Sequence, residues 1–329
     1  MYFVDNLNEH DASINLALEE YMIRRPNLKD DVVLFYINAP SIIIGRHQNT
    51  IEEINKDYVD EHNIRIVRRL SGGGAVYHDL GNLNFSFMTN YQPGYFKNFQ
   101  LFTEPVIRCL KKLGVDAELS GRNDILIEGF KVSGNAQYIS HGRMVSHGTL
   151  LFNADLSHVA DALKVNASKI ASKGIKSVRS RVTNILEYIH PPITIDTFRQ
   201  ALLETYFEDS TGVEFYPLTD EDWKAVLALA DERYRTWEWN YGNSPAFNVE
   251  KRDRFEHGEI DARLDVEKGI IQSVKFYGDY FAERETADLE KLLTGVRYER
   301  ADIETALKNV PINEYFAGMD LPTFVKFLY

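Results

Sequence analysis

The sequence predicts an α+β fold: a mixed, largely antiparallel sheet with flanking helices, followed by a small C-terminal α+β accessory domain. Three observations carry that expectation. Short apolar or alternating runs recur between Tyr2 and Phe152 with helical patterns interspersed. Several neighbouring runs are separated only by turn residues, which favours antiparallel pairing over a doubly wound parallel sheet. An aromatic knot of Trp237, Trp239, Tyr241 and Phe247 around Gly242 and Pro245 then closes the first pattern, and a new strand–turn–strand pattern begins. The expected domains are therefore residues 1–246 and 247–329.

Composition narrows the function classes. A chain of 329 residues suits about two domains. Its 44% hydrophobic content is enough for a sizeable core. The net charge of −12 argues against a general binder of nucleic acid or of membrane surfaces, which would be basic. Any anion site must be a local basic island. One cysteine forms no intramolecular disulfide and fits a reducing compartment. The opening MYFVDNLNEHDAS lacks a basic segment followed by an apolar core, and no apolar run approaches the ~20 residues of a membrane span. A soluble, cytoplasmic protein is expected.

The elements follow in order. Tyr2 to Val4 reads as a short strand, and Ala12 to Arg24 as a helix stopped by Pro26. Val32 to Ile37 and Ser41 to Gly45 are apolar strands joined through the turn Asn38-Ala39-Pro40. Thr50 and Glu53 suggest a capping box for one helix from Ile51 to Glu61. Ile64 to Arg69 alternates as a strand. Leu83, Phe85 and Phe87 alternate with Asn82, Asn84 and Ser86 in another, which reads as a strand with one buried face. Phe99 to Leu113 is helical, and its buried stripe Phe99, Phe102, Val106, Cys109 and Leu113 makes Cys109 core filler in preference to a nucleophile. Asp124 to Ile127 and Phe130 to Ala136 flank Glu128-Gly129 as a hairpin. Val145 to Phe152 is a further strand and Asp155 to Leu163 a short helix. Pro191-Pro192 marks a break before helices at Ile195 to Phe207 and Thr219 to Tyr234. In the C-terminal module Ile260, Ala262, Leu264 and Val266 alternate, Glu267-Lys268-Gly269 turns, and Ile270 to Tyr277 returns. Helices follow near Ala287 to Leu293, near Ile303 to Leu307 and near the terminus.

Chemistry concentrates in three places. Between the strands at Ile64–Arg69 and Asn82–Phe87 lies Ser71 to Gly74, whose three consecutive glycines weaken any regular element. They make sense where the backbone needs positive φ or where a ligand lies against bare amides, and beside Arg68 and Arg69 such amides form an anion cradle. Lys131 is the second place: simple alternation sets it on one face with Ser133, Asn135 and Gln137, opposite Val132, Gly134 and Ala136. A lysine opening a polar stripe can hold a carboxylate or phosphate. Asn123 and Asp124 precede it, with Asp124 either structural or a Mg²⁺ ligand, and His147 lies on the next strand. The third is Ala167 to Thr183, with three Lys, two Arg and no acid, which reads as a strap over a site; Lys173, Lys176, Arg179 and Arg181 are its phosphate-facing candidates. Common nucleotide motifs fail. Gly74 is followed by Ala75, so there is no Walker A loop, and Tyr77 stands where a dinucleotide fingerprint needs glycine. His141 and His147 have no partners at metal-ligand spacing.

Several stretches together, in order and spacing, resemble the lipoate–protein ligase A family. They are RRLSGGGAVYHDLGNLNFSF (68–87), SGRNDI (120–125), KVSGNAQ (131–137), HGTLLFNADL (147–156), SKGIKSVRSRVTN (172–184) and WEWNYGNSPAF (237–247), supported by NLALEE (15–20) and IIIGRHQN (42–49). The likeness runs from about residue 1 to the C-terminus and rests on no single motif. It implies a biotin-synthetase-like catalytic domain plus an accessory domain. It also implies an acyl-adenylate-forming ligase that joins lipoate to ATP, with Mg²⁺, and transfers the lipoyl group to a carrier lysine. Carried over by position, Arg69, Gly74, Ala75, Val76, Tyr77 and Lys131 are nucleotide contacts, joined by Asn123 and Asp124. Lys131 also touches the lipoate carboxyl. Leu16, Leu70, Gly73, Ala136 and His147 are candidates to line the acyl slot. Implied partners are the lipoyl domains of 2-oxoacid dehydrogenase E2 subunits and the glycine cleavage H protein, with the enzyme acting as a monomer. Two other readings are a cofactor-independent lipoyl or octanoyl transferase working through a cysteine thioester, and a non-catalytic lipoyl-protein-binding module. The loop ELSGRNDI carries no cysteine, against the first, and Lys131 and the glycine turn are intact, against the second.

Overall fold

A computed structural model describes residues 1–25, 28–48, 50–121, 123–163, 182–241 and 249–329. The described chain divides into two compact units. One comprises Met1–Ile43, Ile51–Arg68 and Val76–Asn240; the other comprises Ile44–Thr50, Arg69–Ala75 and Tyr241–Tyr329. The glycine turn thus groups with the C-terminal residues. The expected boundary at 246/247 falls within 242–248, outside the described residues.

The first unit is built on a sheet of strand order β1-β2-β6-β10-β9-β8-β7. Its strands are β1 (Tyr2–Val4), β2 (Val32–Ile37), β6 (Asn82–Asn90), β7 (Ala117–Ser120), β8 (Asp124–Ile127), β9 (Phe130–Ser140) and β10 (Arg143–Leu151). Only β1 and β2 pair in parallel; the other described pairings in this sheet are antiparallel. The alternation in β6 decides what each face does, but both faces are buried, which corrects the single buried face read from the sequence. Phe85 stands opposite Phe35 and Gly148, and this face carries the core with Val106, Leu110, Phe198 and Leu202 from the helices Phe99–Lys112 and Ile195–Tyr206. The other face presents Asn82, Asn84 and Ser86 and is met by the helix Ala12–Arg24, whose start is capped by Asp11 accepting from the Ser13 N–H. The hairpin between β8 and β9 turns at Glu128 (φ 50°) and Gly129 (φ 82°), a left-handed pair that suits a two-residue turn.

A second sheet has the order β4-β3-β5, from β3 (Ser41–Ile44), β4 (Arg65–Arg68) and β5 (Val76–His78). Here two expectations are corrected. The strands at Val32–Ile37 and Ser41–Ile44 do not pair with each other, because the corner between them is anchored elsewhere. Ala39 N–H donates to His10 O, and the Asn38 side chain joins Asn15 and His78. Both strands are buried on both faces, so periodicity cannot name their partners. The single helix expected over 51–61 is two, Thr50–Glu53 and Lys56–Glu61, and Thr50 is helical, not a cap. Ile54 bridges Leu163 and Asn55 N–H donates to Ala162 O, and this pairing breaks the helix.

In the second unit β11 (Val249–Phe255), β12 (Gly258–Glu267) and β13 (Ile270–Gly278) form an antiparallel sheet. The alternating Ile260, Ala262 and Leu264 face Leu289, Leu307 and Phe324 from three helices, Thr286–Leu293, Arg300–Leu307 and Leu321–Leu328.

Candidate active site

Lys131 does not stand where simple alternation puts it. Ile125 pairs with Ser133 and Leu126 with Lys131, so Val132 is an extra residue, a β-bulge that turns its own side chain into the core. The bulge moves Lys131 to the face of Asp124 and Gly134 and sends Ser133 and Asn135 to the other, which corrects the shared polar stripe read from the sequence. Lys131 Nζ lies 2.7 Å from Asp124 Oδ1, and both side chains are about one-third exposed. The ammonium lies over Gly134: a Cβ there would stand 2.9 Å from Nζ and 3.1 Å from Cε. The bare glycine is what lets the lysine lie down on its own strand. Behind it the chain returning at Val182–Thr183 bridges the Lys131 backbone, with Thr183 N–H donating to Lys131 O at 3.1 Å.

Two cross-strand rows extend from this lysine over the same face. Tyr36, Asn84 and Thr149 form the first, and Thr149 Oγ1 accepts from Gly134 N–H at 3.2 Å. Leu34, Ser86, His147 and Ala136 form the second. The helix Ala12–Arg24 lies over the second row through Glu19, whose Oε2 is 2.9 Å from His147 Nδ1 and whose Oε1 accepts from Tyr138 OH at 3.3 Å. Burial, reinforced by the Glu19 carboxylate, pushes the Tyr138 phenol well above its ordinary value, so it remains a donor. Leu16, buried, is one helical turn before Glu19 on the same side. Glu19 and Tyr138 are absent from the sequence-derived site. Glu19 sits in the NLALEE run and Tyr138 two residues beyond the strand read at Phe130–Ala136, and neither has a local signal of its own.

The glycine turn is built from backbone. Arg69, 6% exposed, donates to Ser71 Oγ at 2.9 Å and to the Gly72 and Gly74 carbonyls at 2.7 and 2.8 Å. Arg68 donates to Trp239 O and Asn240 O at 2.9 and 3.1 Å. The pair of arginines therefore shapes the loop and its root; it does not present two guanidinium groups to an anion, as the sequence suggests. The three glycines do different things. A Cβ on Gly72 would stand 2.4 Å from Tyr280 O; Gly73 has φ 91°; among the described residues a Cβ on Gly74 would meet nothing within 4 Å. Residues 44–50 hold the same loop, with Arg46 N–H on Ser71 O, the Arg46 guanidinium on Glu285, and His47 stacked on Tyr280 at 4.4 Å.

The remaining site candidates fall as follows. Leu70, Gly73, Gly74 and Ala75 belong to the segment 69–75 of the second unit, whereas Val76 and Tyr77 open β5 in the first. Burial, with Asp79 and Asp155, pushes the Tyr77 phenol up to about 12. Asn123 is engaged with β9, its carbonyl and side chain both bonded to Asn135. Lys173, Lys176, Arg179 and Arg181, with most of the expected strap, lie outside the described residues. Cys109 is fully buried, and burial pushes its thiol up to about 11. That leaves almost no thiolate near neutrality, so the cysteine-thioester reading has no nucleophile in this chain. Among the described residues there is no group of three or more His, Cys, Asp or Glu able to hold a metal.

Comparison with known proteins matches this geometry to a family. Residues 11–207 fit the lipoyl protein ligase A/B catalytic domain and residues 244–328 the bacterial lipoate protein ligase C-terminus. A curated relative, the lipoate–protein ligase LplJ of Bacillus subtilis, is 50% identical over 331 residues and covers all of both chains. Among solved structures, the bipartite lipoate protein ligase of Thermoplasma acidophilum, described together with its E2 lipoyl domain, is 31% identical with a TM-score of 0.65, covering 75% of this chain and 98% of its own. A lipoate–protein ligase A bound with ATP is 30% identical with a TM-score of 0.60, covering 70% and 94%. The likeness extends over both family regions and the whole length of a curated relative, and on that basis the chain belongs to the lipoate–protein ligase family.

Proposed function

We propose that this ligase activates lipoate with ATP and passes the lipoyl group to a lysine of lipoyl carrier domains. In the first step a lipoate carboxylate oxygen attacks the α-phosphorus and pyrophosphate leaves. In the second the carrier amine attacks the acyl carbon, AMP leaves and the amine loses a proton. Both reactants of the first step are anions and repel as they approach. The observation that carries the reading is Lys131 Nζ, laid over Gly134 and held 2.7 Å from Asp124. The Asp124 carboxylate stands to the ammonium as a substrate carboxylate or phosphate would. Lys131 stabilises the approach and the charge that develops in the transition state.

The roles proposed for the other residues follow from their placement. The amides from Gly74 to Tyr77 take the nucleotide, Gly74 being the glycine whose missing side chain no packing contact explains. Arg69 acts by holding that loop's carbonyls, and Asn123 by tying the start of β8 to Asn135 in the middle of β9. Ala136, His147 and Leu16 are proposed to border the acyl chain, and Leu70 and Gly73 remain proposed acyl contacts. Mg²⁺ would be held chiefly by triphosphate oxygens and water, since the described residues offer no protein cage; Asp124 is the one carboxylate proposed to reach it. Residues 1–246 are proposed as the catalytic domain and 247–329 as the accessory domain. E2 lipoyl domains and the glycine cleavage H protein are the proposed acceptors, and a cytoplasmic monomer the proposed form. No helix among the described residues is long and apolar enough to cross a membrane.

ATP–pyrophosphate exchange with a panel of carboxylic acids tests the first step. Exchange that depends on lipoate supports the reading. Lipoyl transfer without ATP, or no exchange with any acid, would sink it.

A further inference from the structure

Resting on that reading, we infer that Ser86 is a specificity-determining residue: its hydroxyl meets the sulfur-bearing end of the acyl chain and favours lipoate over a plain eight-carbon acid. Three observations lead there. Ser86 is 0% exposed, and its Oγ has no hydrogen-bond partner among the described residues. It lies in the middle of the interior strand β6, between Leu34 on β2 and His147 on β10, in the row that continues to Ala136. The next row along the same face runs through Val32, Met88 and Val145, all apolar and buried, to Tyr138, whose hydroxyl donates to Glu19.

A hydroxyl in such a place calls for an account. Buried O–H groups are almost always paired, because an unpaired one has given up its water for nothing. Asn84, one row nearer Lys131, shows the usual solution: its amide donates to Tyr36 O at 3.1 Å and its Oδ1 accepts from Asn82. Ser86 has no such partner among the described residues, and neither Leu34 nor the apolar side chains of Val32, Met88 and Val145 can supply one.

Position identifies the missing partner. With neighbouring strands ~4.8 Å apart and alternate residues ~6.8 Å apart along a strand, Ser86 lies about 12 Å from Gly134 in the plane of the sheet. That distance is within the reach of an extended eight-carbon acid whose carboxylate sits on Lys131. The group arriving beside Ser86 is then the end of the chain. In lipoate it carries two sulfurs, which are weak acceptors for an O–H. In the plain acid it is hydrocarbon, and the hydroxyl stays unpaired. The discrimination is therefore modest, and it comes from the unpaired state with the wrong acid as much as from the bond with the right one.

The test compares the full-length chain with Ser86→Ala in ATP–pyrophosphate exchange, using lipoate and octanoate. The variant's kcat/KM for lipoate should fall roughly 3- to 10-fold, mostly through KM, while octanoate is unchanged or improved. A loss shared equally by both acids, or no change in either, would overturn the assignment. Thermal unfolding adds a readout that a structural role would move differently. Without acid, Ser86→Ala should unfold at the same temperature as wild type or higher, and a clear drop counts against the proposal. With lipoate alone, the rise in midpoint should be smaller for the variant; an equal rise also counts against it. If wild type gives no exchange with any acid, the adenylation reading has failed, and the lipoate-induced shift still decides the role of Ser86.

Discussion

The glycine turn at 72–74 and the lysine strand at 131–134 are both proposed to handle anions, but they are built in opposite ways. In the turn the arginines are consumed by carbonyls, and what is left for a ligand is backbone. In the strand a side-chain ammonium is delivered by a bulge, held by one carboxylate and left about one-third exposed. Glycine serves both, for different reasons. Gly72 is demanded by the Tyr280 carbonyl and Gly73 by its backbone angle, so these two belong to the fold. Among the described residues Gly74 has room around it and Gly134 meets chiefly the end of a flexible lysine, so these two are the glycines proposed to serve the chemistry. What a missing Cβ would have met separates a structural glycine from a functional one.

The comparison can be broken most severely at the lysine. Lys131→Ala should fold normally and lose on the order of 100-fold or more in adenylation, the scale of one preorganised charge contact. Near-normal adenylate formation by that variant would show that the strand does not handle the anion. Next in size, Gly72→Ala drives a methyl into Tyr280 O and should destabilise the protein by roughly 1–3 kcal/mol, visible as a lower unfolding midpoint, whereas Gly74→Ala should leave the midpoint unchanged and weaken ATP binding. Equal midpoints for the two alanine variants would erase the distinction drawn within the turn.

A smaller effect sharpens the other half. Gly134→Ala leaves Lys131 charged but lifts it from its seat, so adenylation should fall about 10-fold with little change in stability. Unaltered adenylation there would mean that the seat is irrelevant. Least of all, Cys109→Ala should keep full ligase activity and lose on the order of 1 kcal/mol, since the thiol only fills the helix stripe. An acyl thioester trapped on Cys109 during turnover would reverse that reading.

Much of this protein is legible in the sequence alone, wherever a local pattern has a local cause. The helix Ala12–Arg24, the turn at Glu128-Gly129 and the burial of Cys109 follow from spacing and turn chemistry, because those depend on neighbours a few residues away. Three features were decided by tertiary structure. The strands at 32–37 and 41–44 enter different sheets, since a strand apolar on both faces says nothing about its partner. The helix over 50–61 is cut by pairing with Ala162 and Leu163, a contact over a hundred residues distant. The face on which Lys131 stands was set by the bulge at Val132, and a bulge exists only when two strands are laid side by side. Alternation tells which residues share a face of an isolated strand; pairing with β8 broke that alternation, and so moved the lysine onto the face of Ala136 and His147.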